Sequence, residues 1–331
     1  MTTRRLLLRD FAISIVSTGA HVRGQTAERI PRIALVFGVV SLADMVGPDP
    51  VDTSVRAFVH SLRNLGWVDG RNIVIERRSA EGRGAERMSA LMQEIVGLGV
   101  DVIVTSGAGV TAAQHATDKI AIVGMVDTVL DTGLVDSLAR PGRNVTGIGF
   151  NSAEGYGKEL QLLKEAAPAI SKVAVLANRP MRGARESWRL EIDAAARRMR
   201  IDVLWLIVDS ATDIEIAFAT IARERADALD VMSNYTNYAH RRRITELALK
   251  HRLPSIGFAE DGMLLDYGAQ TEEVMRRLAD QVNKILRGAK PGDLPFEQPT
   301  RFELTVNLKT AKALGLAIPP SLLLRADKVI E

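Results

Sequence analysis

The sequence predicts an α/β protein built as two doubly wound lobes with parallel sheets, and three observations carry that prediction. Short apolar runs rich in Val and Ile, nearly continuous rather than alternating, recur with longer amphipathic stretches between them, as buried parallel strands and their crossover helices do. The rhythm runs to about residue 150 and then restarts, giving two units of comparable length. The chain has 331 residues, enough for two domains that each bury a core.

In the first unit the runs at 33–39, 73–77, 102–105, 120–126 and 145–150 read as strands. Helical patterns lie between them at 53–65, 85–98, 110–116 and 134–139, the last closed by Pro141-Gly142. The second unit, divided from the first near 147–152, has strands at 173–177, 203–208, 228–232 and 255–258 and helices at 185–199, 213–225 and 241–251. The tail is less regular. A helix at 272–286 is stopped by Gly288, Pro291 and Gly292; a strand at 302–308, a short helix at 310–314 and a last segment at 319–331 follow. These pieces are too small for a third domain and complete the two lobes. The expected division is 31–149 with 265–299 in the first lobe and 150–264 with 300–331 in the second. The chain then crosses between lobes more than twice, which makes a hinge and a cleft that closes on a ligand.

Charge sorts the partners. Lys and Arg number 43 against 40 Asp and Glu, a net +3 that points toward nucleic acid. Residues 1–24, however, hold four Arg and one acid, so the remaining 307 residues carry 39 charges of each sign and the nucleic-acid reading falls away. The segment 1–24 reads as an export signal: a basic start, an apolar stretch at 11–20, then small residues before Gln25. A stretch of ten residues is too short to span a bilayer. Thr3-Arg4-Arg5-Leu6-Leu7-Leu8-Arg9 is similar to a twin-arginine signal, with the general secretory route as the alternative. No later segment is long and apolar enough to span. The chain has no Cys, which excludes thiolate metal sites, thiol nucleophiles and iron–sulfur clusters.

Ligands of doubly wound lobes bind at the carboxyl ends of the strands. There, Thr105-Ser106-Gly107-Ala108-Gly109-Val110-Thr111-Ala112 follows a strand and opens a helix. Gly107, Gly109 and Ala112 fit a dinucleotide fingerprint with Asp127 twenty residues on, the pattern of an enzyme that binds a nicotinamide-type nucleotide. Against this, the motif follows the third strand rather than the first, and no catalytic set accompanies it. The same backbone supports a second reading, in which the helix start and the hydroxyls of Ser106 and Thr111 hold a carboxylate and Asp127 holds an ammonium group. A third makes Ser106-Gly107 a tight turn and Asp127 a helix cap.

The matching loops of the second lobe are Asn178-Arg179-Pro180, Ser233-Asn234-Tyr235-Thr236-Asn237-Tyr238 and Ala259-Glu260-Asp261. Aromatic residues are scarce, so two Tyr in one polar loop stand out: they pack against a ligand side chain while Ser233 and Asn234 donate hydrogen bonds, or they open a helix capped by Asn237. The ligand-binding candidates are therefore Ser106, Gly107, Thr111, Asp127, Asn178, Ser233, Asn234, Tyr235 and Asp261. No catalytic residue, metal ligand or cofactor is expected: the five His have no partner at metal-ligand spacing, and no Gly-x-Ser-x-Gly, P-loop or zinc-protease string occurs.

From about Ile33 to Glu331 the chain resembles the bacterial ABC-transporter substrate-binding proteins of the type that includes tryptophan- and tyrosine-binding receptors. The strings that carry the resemblance are Leu65-Gly66-Trp67-Val68-Asp69-Gly70-Arg71-Asn72, Gly133-Leu134-Val135 through Pro141-Gly142 to Asn144-Val145-Thr146-Gly147, Ile285-Leu286-Arg287-Gly288-Ala289-Lys290-Pro291, Gln298-Pro299-Thr300-Arg301-Phe302-Glu303-Leu304, Asn307 through Leu316, and Ile318-Pro319-Pro320. The resemblance implies a type I periplasmic-binding fold: two Rossmann-like lobes joined by a three-strand hinge, with the ligand closed between them. It implies a periplasmic receptor without enzymatic activity, a monomer that captures an amino acid or related carboxylate for an ABC permease and its ATPase and meets the membrane only through that permease. By position, Ser106 and Gly107 look like the family's ligand loop and Asp127 like the acid of its Asp-Pro motif. Here Thr128 stands in place of that Pro, and the 257–262 loop is shorter than in relatives.

Overall fold

The apolar runs fold into two sheets. The computed structural model describes residues 29–126, 133–149, 153–179 and 187–331; the expected signal at 1–24 and Asp127 lie outside them. The first sheet has five strands, β1 (Arg32–Phe37), β2 (Val74–Ser79), β3 (Val102–Ser106), β4 (Ala121–Val126) and β5 (Val145–Gly149), all parallel, in the order β2-β1-β3-β4-β5. The second has seven: β6 (Lys172–Ala177), β7 (Asp202–Ile207), β8 (Ala228–Val231), β9 (Ser255–Ile256), β10 (Leu265–Ala269), β11 (Phe302–Asn307) and β12 (Lys328–Ile330). Counted from β7 its order is β7-β6-β8-β9-β10-β11-β12, so its first five strands repeat the order of the first sheet. That order is doubly wound, with a ligand crevice at the carboxyl ends of the strands beside the first.

Burial explains why the strands read as continuous apolar runs. Ile33, Leu35 and Phe37 of β1 enter one core, with Phe58, Val59 and Leu62 of a helix and Leu278 and Val282 of another; Ala34 and Val36 enter a second core on the opposite face. In β6, Val173 and Val175 face one layer and Ala174 and Leu176 the other. Each such side chain removed from water stabilises the fold by about 1.5–3 kcal/mol. The helices are α1 (Leu42–Met45), α2 (Thr53–Asn64), α3 (Gly84–Gly97), α4 (Ala108–Ala116), α5 (Ala153–Ala166), α6 (Ser187–Met199), α7 (Ala211–Glu224), α8 (Tyr235–Ala239), α9 (Arg241–Lys250), α10 (Thr271–Leu286), α11 (Leu308–Leu314) and α12 (Pro320–Leu323).

Three expectations are corrected, and one helix that the sequence pattern left unread is added. Residues 134–139 form bends, not a helix: Leu134 and Val135 are buried, and Asp136 N–H donates to Pro141 O (3.2 Å), which folds the segment back on itself. The stretch at 153–166 is helix α5, hidden in the sequence by Gly155 and Gly157; Gly157 faces Ala195 and Glu191 of α6, where a side-chain carbon would meet ordinary contact at 3.6 Å. Residues 265–269 are strand β10 of the second sheet, so that part of the tail does not belong with the first lobe. The second sheet is not wholly parallel, since β10 and β11 run antiparallel. The chain leaves the second lobe from β10 and re-enters it as β11, which forces opposite directions on the two.

Three crossings join the lobes: β5 to α5, β10 to α10, and the segment before β11. They lie side by side. Gly149 N–H donates to Glu297 O (2.7 Å), Glu297 N–H donates to Gly147 O (2.9 Å), and Gln270 N–H donates to Arg301 O (3.1 Å). Arg277 of α10 braces the third crossing through Gln298 O (3.1 Å) and Thr300 Oγ1 (3.1 Å). Buried Gln281 donates to Gly147 O (3.0 Å), which fixes α10 against β5.

Candidate functional site

The carboxyl ends of the two sheets meet through one residue of the loop after β8. Asn234 caps α8, its side chain accepting from Asn237 N–H at 2.9 Å. Asn237 is fully buried and donates to Leu176 O at the end of β6 (3.0 Å) and to Met232 O after β8 (2.9 Å). These bonds hold the short helix rigidly and aim Tyr235 at the other lobe. There its hydroxyl accepts from Gly84 N–H (3.1 Å) and donates to Gly38 O (3.3 Å). The ring lies against Gly38, where a Cβ would come within 2.4 Å of Cε2. Gly38 follows β1 and Tyr235 follows β8, so this contact sets the carboxyl ends of the two sheets face to face.

On the first lobe, Ser106 ends β3 half-buried, and Gly107 is exposed at φ 53° and ψ −127°, a backbone shape that only glycine takes without strain. Gly107 N–H donates to Met125 O of β4 at 2.8 Å and so does not point free into the cleft. No side chain caps α4, so its first turn presents backbone N–H groups toward the cleft side of the sheet. Thr111 is half-buried on the same helix.

The other expected residues divide. Asn178 and Ser233 are exposed at the ends of β6 and β8. Asn234 is a cap, as the helix-start reading has it. Asp261 accepts from Arg241 Nε at 2.9 Å and lies 3.6 Å from Arg242, so its charge is engaged within its own lobe. Arg241 also stacks over the Tyr238 ring at 4.3 Å, and Tyr238 packs edge-on against Phe258. Burial pushes the Tyr238 hydroxyl pKa up, opposed by Arg241. A cavity of about 480 Å³ opens between the lobes, lined by residues 39–41, Asp44 and Asp52 on one side and 238–243 on the other, none of them among the expected ligand-binding residues. Its size suits a small ligand.

Sequence reasoning missed Gly38 and Gly84, the two residues that receive Tyr235. A signal for Gly38 existed: it follows the first strand of its lobe as Asn178 follows the first strand of the other. Among the described residues no group of His, Cys, Asp and Glu is placed to hold a metal ion, and no helix is long and apolar enough to cross a membrane.

Two doubly wound lobes on a three-stranded hinge, with strand ends facing across a cleft, define the class of two-lobed solute-binding proteins. The chain belongs to the ABC transporter substrate binding protein family, whose model matches residues 39–330. Members of that family are receptors, not enzymes. The chain is 22% identical over 285 residues to the tyrosine-binding protein of Clostridioides difficile strain R20291, covering 84% of this chain and 81% of that one. Its fold is similar to a conserved domain protein from Vibrio cholerae (TM-score 0.80, 23% identity, 91% of this chain and 100% of that one). It is also similar to the ABC domain in complex with L-Trp from Streptococcus pneumoniae (TM-score 0.79, 20% identity, 91% and 99%).

Proposed function

We propose that this receptor works outside the cytoplasm, captures an amino acid between its lobes, with aromatic amino acids first among the candidates, and passes it to an ABC permease. The observation that carries the reading is the Tyr235 contact, which sets the two sets of strand ends face to face; the first turn of α4 lies at the strand ends of one lobe and the Asn178 and Ser233 loops at those of the other. A carboxylate sits on the N–H groups after Gly107, where the helix dipole favours negative charge. The ammonium group is taken by Asp127, which follows Val126 in the sequence, and the lobes shift to the closed form because the ligand touches both. The tyrosine-binding protein and the ABC domain in complex with L-Trp, both similar to this chain, support the aromatic class. Export by the segment 1–24 would put the receptor where such a ligand is met.

A thermal-shift screen against L-tyrosine, L-tryptophan, L-phenylalanine, aromatic carboxylates and nicotinamide nucleotides tests this. An amino acid at 100 times its dissociation constant should add about 2.7 kcal/mol of stability. Asp127→Ala should then weaken binding by about tenfold or more, the loss of a charge-assisted bond. Stabilisation by a nucleotide alone would sink the reading, and an unchanged affinity in Asp127→Ala would remove that residue from the site.

A further inference from the structure

We propose that Tyr235 is a positioning residue that draws the two lobes together before any ligand arrives. The proposal rests on the receptor reading above and adds a contact that sets its resting state.

Four observations converge on it. The hydroxyl is doubly engaged across the cleft, accepting from Gly84 N–H and donating to Gly38 O. Gly84 opens α3, and the N-cap of that helix, Arg83, offers no side-chain bond. The phenol of the second lobe therefore satisfies a helix-end N–H that the first lobe leaves uncapped, and opening the lobes returns that group to solvent. Gly38 is not at positive φ, so its lack of a side chain answers to space rather than to backbone shape: the ring occupies the volume a Cβ would need. Gly38 O also accepts from Gly82 N–H at 2.9 Å, which holds the receiving loop in place, as Asn234 and Asn237 hold the loop that supplies the ring.

None of these contacts involves the α4 turn where the carboxylate is proposed to sit. Closure driven by Tyr235 is thus separable from ligand recognition. A receptor whose closed form is already populated has less of an equilibrium to shift on binding, and its apparent affinity rises by the same factor.

The chain has no Cys, so two introduced ones label uniquely. Ser89→Cys on α3 and Thr212→Cys on α7 are both exposed, one on each lobe. Spin labels there report the distance between lobes in the full chain without ligand. The expected result is a substantial short-distance population. Tyr235→Phe should keep the ring and lower the closed-to-open ratio by roughly fivefold for each hydroxyl bond lost. Tyr235→Ala and Gly38→Val should abolish the short-distance population, the second by filling the seat rather than removing what sits in it. A parent that is open without ligand, or distance distributions unchanged in Tyr235→Ala and Tyr235→Phe, would overturn the proposal. Because no ligand enters the measurement, failure of the amino-acid reading leaves its outcome intact, and the two can fail separately.

Discussion

Arg32-Ile33-Ala34-Leu35-Val36-Phe37 in β1 and Lys172-Val173-Ala174-Val175-Leu176-Ala177 in β6 hold the same place in their lobes: a basic residue at the edge, then aliphatic side chains sent alternately to two cores. Ile33 pairs with Val102 and Val173 with Ala228, so the third strands correspond as well. The correspondence then separates inside from outside. Past the strands, the first lobe has Gly38 and Gly107 where the second has Asn178 and Ser233. At these two positions the first lobe meets the cleft with bare backbone and the second with side chains. The Tyr235 ring of the second lobe projects onto Gly38 of the first, which has no side chain to meet it.

The largest effects test whether the two cores are separate. Leu35→Ala and Leu176→Ala, each fully buried, should cost about 2–5 kcal/mol. Urea unfolding followed through Trp67 in the first lobe and Trp205 in the second should show each variant lowering the midpoint of its own lobe first. Coincident midpoints in both variants would break the comparison and make the hinge a strong coupler.

Next in size is a mismatch within the third strands. Asp230 of β8 corresponds to Val104 of β3, is fully buried and has no hydrogen-bond partner for either oxygen. Burial raises its pKa from 3.8 to about 7. The native carboxyl therefore keeps a proton that the unfolded chain releases, and this group's contribution to stability falls as pH rises from about 4 to 7, then levels off. Asp230→Val, the first lobe's choice, should remove that slope, so that its gain at pH 8 exceeds its gain at pH 4 by roughly 2–4 kcal/mol. Melting temperatures at the two pH values decide it; equal gains at both would mean that packing, not charge, separates the residues.

The smallest effect concerns the projecting loop. Asn234→Ala removes the cap of α8 and should cost about 1 kcal/mol, read from a denaturation midpoint. No loss would mean that Asn237 alone holds the loop.

Much of this architecture was legible in the sequence because strands buried on both faces must be apolar at every position, and the runs at 33–39 and 173–177 say so directly. Strand β10 was not: Leu265-Asp266-Tyr267-Gly268-Ala269 has poor strand composition and forms because β9 and β11 supply ladders on both sides. Helix α5 was obscured because glycine weakens a helix in isolation, whereas in the folded chain Tyr156, Leu160 and Leu163 pack with Ile192 and Ala195 of α6 in one core. At the site, Tyr235 stood out by its chemistry but its partner did not. A seat made of glycine has no side chain to announce it, and whether Asn234 caps or binds depends on where Asn237 lands, which only the folded chain decides.

The side-by-side crossings have a mechanical consequence. A single tether would let one lobe swing and spin freely over the other. Three adjacent tethers bonded to each other, with Arg277 and Gln281 anchoring them from α10, form a ribbon that bends across its width but resists torsion and shear. Relative motion is thereby reduced to nearly one degree of freedom, and a ring as narrow as that of Tyr235 returns to the same two-glycine socket on every stroke.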